Sequence, residues 1–248
     1  MPATPAWPPK SLPRLFVATP LAEGAVVELD GGQANYLGNV LRLGVGGQVL
    51  LFDGANGEWL ASVAETGRKR MKLRVARRTR PVEAVPDLWL AFAPVKRSQV
   101  DWLVEKATEL GVARLMPVVT ARTVVERVKR ERLRAIAIEA AEQCGRTLVP
   151  EIAEPVSLAA LLAGRTAGRT LYFADETGGE ALGKAFAAGP AMILTGPEGG
   201  FTSAERELIR AAEEVRAVSL GPRILRAETA ALAAVSAWMA LAGDWRSL

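Results

Sequence analysis

The spacing of apolar and polar positions divides the chain into two parts with different periods. From residue 14 to about 80, short apolar runs broken by turn residues read as strands. Gln48-Val49-Leu50-Leu51-Phe52 runs into Asp53-Gly54-Ala55-Asn56-Gly57, a hairpin turn, followed by Trp59 to Val63. No helical period stands out there, so residues 14–80 are predicted to form a small β-barrel. Within it Arg70, Lys72 and Arg74 alternate with Met71, Leu73 and Val75. A period of two sets the cations on one face of a strand and the apolar side chains on the core side. An edge strand guarded by charge carries the same pattern.

Pro81 to Pro86 reads as a linker, and beyond it the pattern changes. Strand-like runs at Leu88–Ala93, Ala113–Val119, Thr170–Ala174, Ala191–Leu194 and Val215–Leu220 alternate with helical periods at Gln99–Leu110, Glu131–Gln143, Leu158–Leu162, Ser203–Glu214 and Glu228–Ala242. Such alternation predicts an α/β domain over residues 87–248, with a parallel sheet covered on both faces. The last helix is apolar nearly all round, since from Ala230 to Ala242 only Ser236 is polar. Such a helix needs cover on most sides, from its own domain or from a partner subunit. A homodimer would supply the second kind of cover. The proline-rich residues 1–13 read as a loose arm without the apolar region of a signal peptide.

Two loops follow the last two predicted strands. The first is Leu194-Thr195-Gly196-Pro197-Glu198-Gly199-Gly200-Phe201, and the second runs from Leu220 through Gly221-Pro222-Arg223-Ile224-Leu225-Arg226-Ala227-Glu228 to Thr229. Ligands of open α/β sheets bind beyond the carboxyl ends of the strands, and glycines let them approach the backbone. The pair reads as a cofactor cleft. Its candidate contacts are Leu194, Thr195, Gly196, Pro197, Glu198, Gly199 and Gly200 in the first loop. In the second they are Leu220, Gly221, Ile224, Leu225, Arg226 and Thr229. Part of the first loop needs no ligand to explain it, because Thr202-Ser203-Ala204-Glu205 is a capping box opening the next helix. Neither a Walker sequence nor a G-x-G-x-x-G run is present, so the usual nucleotide fingerprints are absent.

Composition narrows the chemistry. The 248 residues contain no histidine and one cysteine, which argues against a structural metal site and an internal disulfide. No apolar run has the length of a membrane span, and the cytoplasm is the expected location. Without histidine, acid–base work must fall to carboxylates, arginine, backbone dipoles or the substrate's own acidity. Residues 1–80 carry a net charge of +5 and the remainder −1. A basic first part and a near-neutral second suggest that one binds a polyanion while the other does chemistry. The candidate RNA contacts are Arg42, Arg70, Lys72 and Arg74 in the first part, and Arg122, Arg127 and Arg223 in loops of the second.

The segments Leu194 to Glu205 and Leu220 to Ala230 resemble the two C-terminal signatures of the RsmE family, bacterial methyltransferases that modify a uridine of 16S ribosomal RNA at N3. Val40-Leu41-Arg42, Lys106 to Gly111 and Glu139 to Gln143 fit the same family, in order, so the resemblance spans most of the chain. It departs at Asn35 and Tyr36, where the family often has a histidine, and at Cys144, commonly serine. The resemblance implies a PUA-like first domain and a second domain with the deep trefoil knot of the SPOUT class, whose members dimerise through such terminal helices. It also implies S-adenosyl-L-methionine as donor and the small ribosomal subunit as partner, with no metal. In that chemistry the uracil must be unpaired, and its imide proton must leave. Arg226 is the candidate to stabilise the developing charge, and Glu228 the candidate base or orienter, with Glu198 second. A knotted methyltransferase acting on another RNA atom, or a non-catalytic RNA-binding assembly factor, fits the same features less fully.

Overall fold

The computed structural model describes residues 12–124 and 128–247. The chain forms two units: residues 1–83 together with 142–148, and residues 84–141 together with 149–248.

The first unit is built on β1 (Arg14–Phe16), β2 (Val26–Leu29), β3 (Gln48–Phe52), β4 (Glu58–Gly67) and β5 (Arg70–Arg80). They form one sheet in the order β1-β3-β4-β5-β2. The predicted alternation along β5 is present: Met71, Leu73 and Val75 are buried in a core with Val49, Leu51, Ala61 and Val63, while Arg70 and Arg74 are exposed. Because β5 pairs with β4 on one side and β2 on the other, it is not an edge strand, and edge protection does not explain its charges. A short helix, α1 (Gly31–Asn35), and a π-helical turn at Tyr36–Val40 depart from the all-strand expectation. Asp30 caps α1 by accepting from the Gln33 amide at 2.7 Å. Two glycines and an asparagine in five residues leave too little propensity and length for a helical period to show.

Glu58 is the polar anchor of this unit. It is almost fully buried, yet it accepts from Arg14 at 2.8 Å, Arg80 at 2.6 Å and the Thr79 hydroxyl at 2.9 Å. The same two arginines donate onward to the carbonyls of Glu142, Gly145 and Arg146, which is how residues 142–148 come to belong to this unit. Gly57 beside it is at φ +86, and a Cβ there would lie 2.3 Å from the Arg80 carbonyl oxygen, so only glycine lets the strands close here.

In the second unit β6 (Leu88–Phe92), α2 (Arg97–Glu109), β7 (Arg114–Val119) and α3 (Arg130–Cys144) come first. Then follow β8 (Glu151–Ile152), β9 (Val156–Ser157), α4 (Leu158–Ala163), β10 (Thr170–Ala174), β11 (Glu180–Ala181) and α5 (Leu182–Ala185). The chain ends with β12 (Ala191–Thr195), α6 (Ser203–Ala211), β13 (Val215–Ser219) and α7 (Ala227–Leu241). The sheet order is β11-β13-β10-β12-β6-β7-β8, with every pairing parallel. Successive side chains face opposite ways, and both faces are buried. Leu90, Tyr172 and Ile193 pack with α2, α3, α5 and α7, while Ala91, Phe173 and Leu194 pack with α4 and α6. The predicted helix Ser203–Glu214 stops at Ala211, because Ala212 is extended and Glu214 takes φ +53. The two-residue strands β8, β9 and β11 are too short to leave a period in the sequence.

The apolar helix α7 finds most of its cover inside its own unit. Ala231, Leu232, Ala234, Val235, Trp238 and Met239 are buried, leaving Ala233, Ala240 and Leu241 among the exposed. No helix among the described residues is long and apolar enough to cross a membrane.

Burial opposes ionisation of Glu58, but hydrogen bonds from Arg80, Arg14 and Thr79 outweigh it and lower its pKa from 4.5 to about 2. A lowered carboxylate pKa contributes stability above its unfolded value, lost as pH falls through the folded one. Glu58→Gln should therefore lower neutral-pH stability by about 3 kcal/mol, the order found when a buried charge loses its partner. Urea unfolding across pH should also show that the variant lacks the wild type's stability loss between pH 4.5 and 2.

Candidate active site

All strands of the second sheet run the same way, so the loops leaving β10, β12 and β13 emerge at one edge. Since β13 lies beyond β10 from β12, the loops after β12 and β13 flank the end of β10. The chain reverses its direction across the sheet there, as at the switch points where open α/β sheets bind ligands. Between the loops lies a cleft of about 350 Å³, lined by Thr195–Gly200 on one side and Ser219–Leu225 on the other. Ala174, Asp175 and Glu176 come from the end of β10, and Ala227 and Ala230 from the start of α7.

The first wall is held from behind. The Gly200 amide donates to the Pro197 carbonyl at 2.9 Å, closing a turn in which Gly200 takes φ +66. Arg122 donates to the Gly199 carbonyl. The capping box at the start of α6 forms as expected, Glu205 accepting from the Thr202 amide at 2.9 Å and also from the Ala121 amide at 2.7 Å. Partial burial opposes ionisation of Glu205, but the amides of Ala121 and Thr202 prevail and hold its carboxyl below its ordinary range. Gly196 is glycine for an interior reason: a Cβ would lie 2.8 Å from the ring of Phe201. That ring is buried and packs edge-on against Phe173 at 5.2 Å. Thr195 is buried, lines the cleft, and its hydroxyl has no hydrogen-bond partner among the described residues. Buried polar groups are normally paired, so this hydroxyl is an unspent group in the cleft wall.

The second wall is more open. Gly221 takes φ +103 with nothing within 4 Å of where a Cβ would stand, and Ile224 is 93% exposed. At the end of β10, the Asp175 carboxylate accepts from the Thr177 amide at 2.9 Å and from Arg210 at 2.6 Å, while Arg206 pairs with Glu176. Burial works against the Asp175 charge, yet the Thr177 amide and Arg210 hold its carboxyl below the usual range. Neither acid is a candidate by sequence. Asp175-Glu176-Thr177-Gly178-Gly179 reads as a turn, and only the strand order brings it to the cleft.

Ten of the expected cofactor contacts line the cleft: Thr195, Gly196, Pro197, Glu198, Gly199, Gly200, Leu220, Gly221, Ile224 and Leu225. Leu194, Arg226 and Thr229 do not. Leu194 is fully buried on the α4/α6 face of the sheet. Arg226 is the exposed N-cap residue of α7, and Thr229 points outward one turn on. Glu228 is also outside the lining; it sits on the buried side of α7 with its Oε2 unpartnered among the described residues. Of the RNA candidates, Arg223 lines the cleft and Arg122 braces its wall. Arg42, Arg70, Lys72 and Arg74 belong to the first unit, where Lys72 pairs with Glu65 at 2.9 Å. Arg127 lies outside the described residues. Among the described residues no three His, Cys, Asp or Glu gather as a metal ion would require.

Comparison with known proteins decides the family. A family described as the RNA methyltransferase domain matches residues 83–239, and one described as the RNA methyltransferase PUA domain matches residues 29–76. Ribosomal RNA small subunit methyltransferase E of Rickettsia conorii is 31% identical, over 90% of this chain and 93% of that protein. The chain belongs to the ribosomal RNA small subunit methyltransferase E family. The Bacillus subtilis member is 30% identical, over 88% of this chain and 91% of its own length. Among solved structures, the Neisseria gonorrhoeae member bound to S-adenosyl methionine superposes with a TM-score of 0.88 at 28% identity, over 95% of this chain and 100% of that one. A Legionella pneumophila protein in complex with the bound cofactor SAM gives 0.86 at 31% identity, over 94% and 99%.

The packing of Gly196 changes what its substitution tests. Gly196→Ala should drive a methyl group against the buried Phe201 ring and destabilise the second unit by about 1–3 kcal/mol, the usual size for overpacking. A lowered urea midpoint, partly recovered by adding Phe201→Leu, is the expected result.

Proposed function

We propose that this protein transfers a methyl group from S-adenosyl-L-methionine to N3 of a uridine in 16S ribosomal RNA of the small ribosomal subunit. The cleft between the loops after β12 and β13 carries this reading, with the names of the relatives and the donor bound in the neighbouring structures as support. The unpartnered Thr195 hydroxyl and the exposed backbone of both loops fit a ligand of that size and polarity. When bound, S-adenosyl-L-methionine supplies an electrophilic methyl group on a sulfonium.

The chain's own residues do the rest. The turn from Pro197 to Gly200, braced by Arg122, and the segment Ser219–Leu225 hold the donor between them. The Arg226 side chain makes no cap hydrogen bond and stands at the amino end of α7, where amides and the helix dipole favour negative charge. Its guanidinium is free to stabilise charge spreading onto O2 and O4 as the imide proton leaves. Glu228, on the buried side of α7 in the same turn, is assigned to orient the site for that proton's departure rather than to accept it. Arg223 meets the RNA at the cleft, and Arg70 and Arg74 meet it on the first unit.

The proposal includes a cytoplasmic homodimer. Trp102 on α2, Leu241 ending α7 and Trp245 just beyond it remain 42–45% exposed, and α2 and the final turn both pack on α7. Leu232 and Val235, buried in the unit's own core, are not part of that face. It also includes the trefoil knot of the class, for which the return of β13 beyond β10 is the supporting feature.

Thr195→Val removes a hydroxyl that no described residue uses, so unfolding should be unchanged or slightly harder. Calorimetry should show the donor bound about tenfold more weakly, the loss of one net hydrogen bond. Unaltered affinity would move the donor away from Thr195. Arg226→Ala should keep donor and RNA affinity yet slow single-turnover transfer by about 10²–10³. Arg226→Lys should restore little, since a point charge lacks the planar fork. A normal rate in saturated Arg226→Ala would remove the arginine from the chemistry.

A further inference from the structure

The first unit holds a second cavity of about 350 Å³, within the roughly 300–1,000 Å³ of small-molecule sites. It lies between α1 with its π-helical turn on one side and the β4–β5 turn on the other. Arg42, Lys69 and Arg70 all line it, and no carboxylate does. None of the three pairs with an acid among the described residues, whereas Lys72, two residues along the strand, is paired with Glu65 and Glu28. Three like charges around one void repel each other until an anion enters.

The backbone points the same way. Among the described residues three non-glycines take a left-handed φ, and two of them, Arg42 at 58° and Lys69 at 61°, line this cavity. Glycine would hold either position with less strain, yet a long cation stands at both, and neither contributes an ion pair to the fold. Strain of this kind persists where a site needs the side chain. On the helical side of the cavity, Asn39 donates to Asn35 at 2.7 Å. Whichever amide donates, the pair leaves amide donor and acceptor capacity unused on two residues that line the void. That is the complement of a nucleobase edge, which reads as adjacent donors and acceptors.

We infer that this cavity binds one unpaired nucleotide of the RNA substrate, its phosphate among Arg42, Lys69 and Arg70 and its base against Asn35 and Asn39. The site is additional to the methyl-transfer cleft and rests on the reading that the chain acts on RNA. It gives the first unit a means of choosing a sequence, beyond general attraction to phosphate.

The test uses the full chain with Arg42→Gly and Lys69→Gly combined, which removes the cations while suiting the backbone. The unfolding midpoint should hold or rise, and calorimetric donor affinity should be unchanged. Affinity for labelled single-stranded RNA hexamers should fall about tenfold or more. The slope of log affinity against log salt should flatten by roughly 0.7 for each phosphate that the protein ceases to neutralise. Asn39→Ala should narrow the spread of affinities among the four homopolymer hexamers without altering that slope. Wild-type affinity and slope in the folded double variant would overturn the phosphate site, and an unchanged spread in Asn39→Ala would overturn the base site. If the wild type methylates 16S RNA while these variants bind as before, the pocket alone is wrong. If the wild type neither binds nor methylates RNA, the reading beneath it fails too.

Discussion

The placement of β13 on the far side of β10 is the constraint from which the site follows. A parallel sheet delivers every strand-to-helix loop to one edge, but it does not by itself make a cleft. Had β13 continued outward from β12, the glycine loop and the Gly221 loop would have been neighbours with nothing beneath them. By stepping back over β10, the chain sets the two loops apart and fills the gap with Ala174, Asp175 and Glu176. The buried Asp175, fixed by Thr177 and Arg210, and the Arg206–Glu176 pair then hold that floor and α6 together. Gly200 is pressed so close to Glu176 that a Cβ would lie 2.5 Å from its carboxylate. The glycine loop is thus shaped as much by its own scaffold as by any ligand.

A protein without histidine must run this chemistry on groups whose charge is constant near neutral pH. The arrangement suits a substrate that is itself a weak acid, because the site then needs to stabilise an anion more than to supply a strong base. The roles proposed for Arg226, the α7 amides and Glu228 ask for no stronger base. The glycine-loop wall of the cleft stands on a finished hydrogen-bond network, and the Thr195 hydroxyl is left over within it. Preorganisation of this kind lets binding proceed without rebuilding the loops.

Much of this is legible in the sequence, and the rest is hidden for physical reasons. The inner strand Ala191–Thr195 is buried throughout and leaves a continuous apolar run, and both it and the less buried Val215–Ser219 are readable within a residue. Glycine and proline announce the two loops. Strand order leaves no local trace, which is why Asp175 and Glu176 escape a reading of the sequence and why Leu194, one residue before a true lining residue, reads as a contact. The apolar circumference of α7 is plain, but whether its own core or a partner covers it depends on packing. Leu232 and Val235 serve the core. The helix at Gly31–Asn35 leaves no sequence period because capping by Asp30, not propensity, holds it.

Methyl transfer to uracil N3 from the cleft between the two loops can be read out directly by nucleoside mass spectrometry. Small ribosomal subunits whose 16S RNA lacks the modification would be incubated with the protein and methyl-deuterated S-adenosyl-L-methionine, and the RNA then digested to nucleosides. One deuterated 3-methyluridine per subunit is expected at completion, formed by the wild type and not by Arg226→Ala on the same timescale. Label in a different nucleoside, or no label with a folded protein that binds the donor, would contradict it.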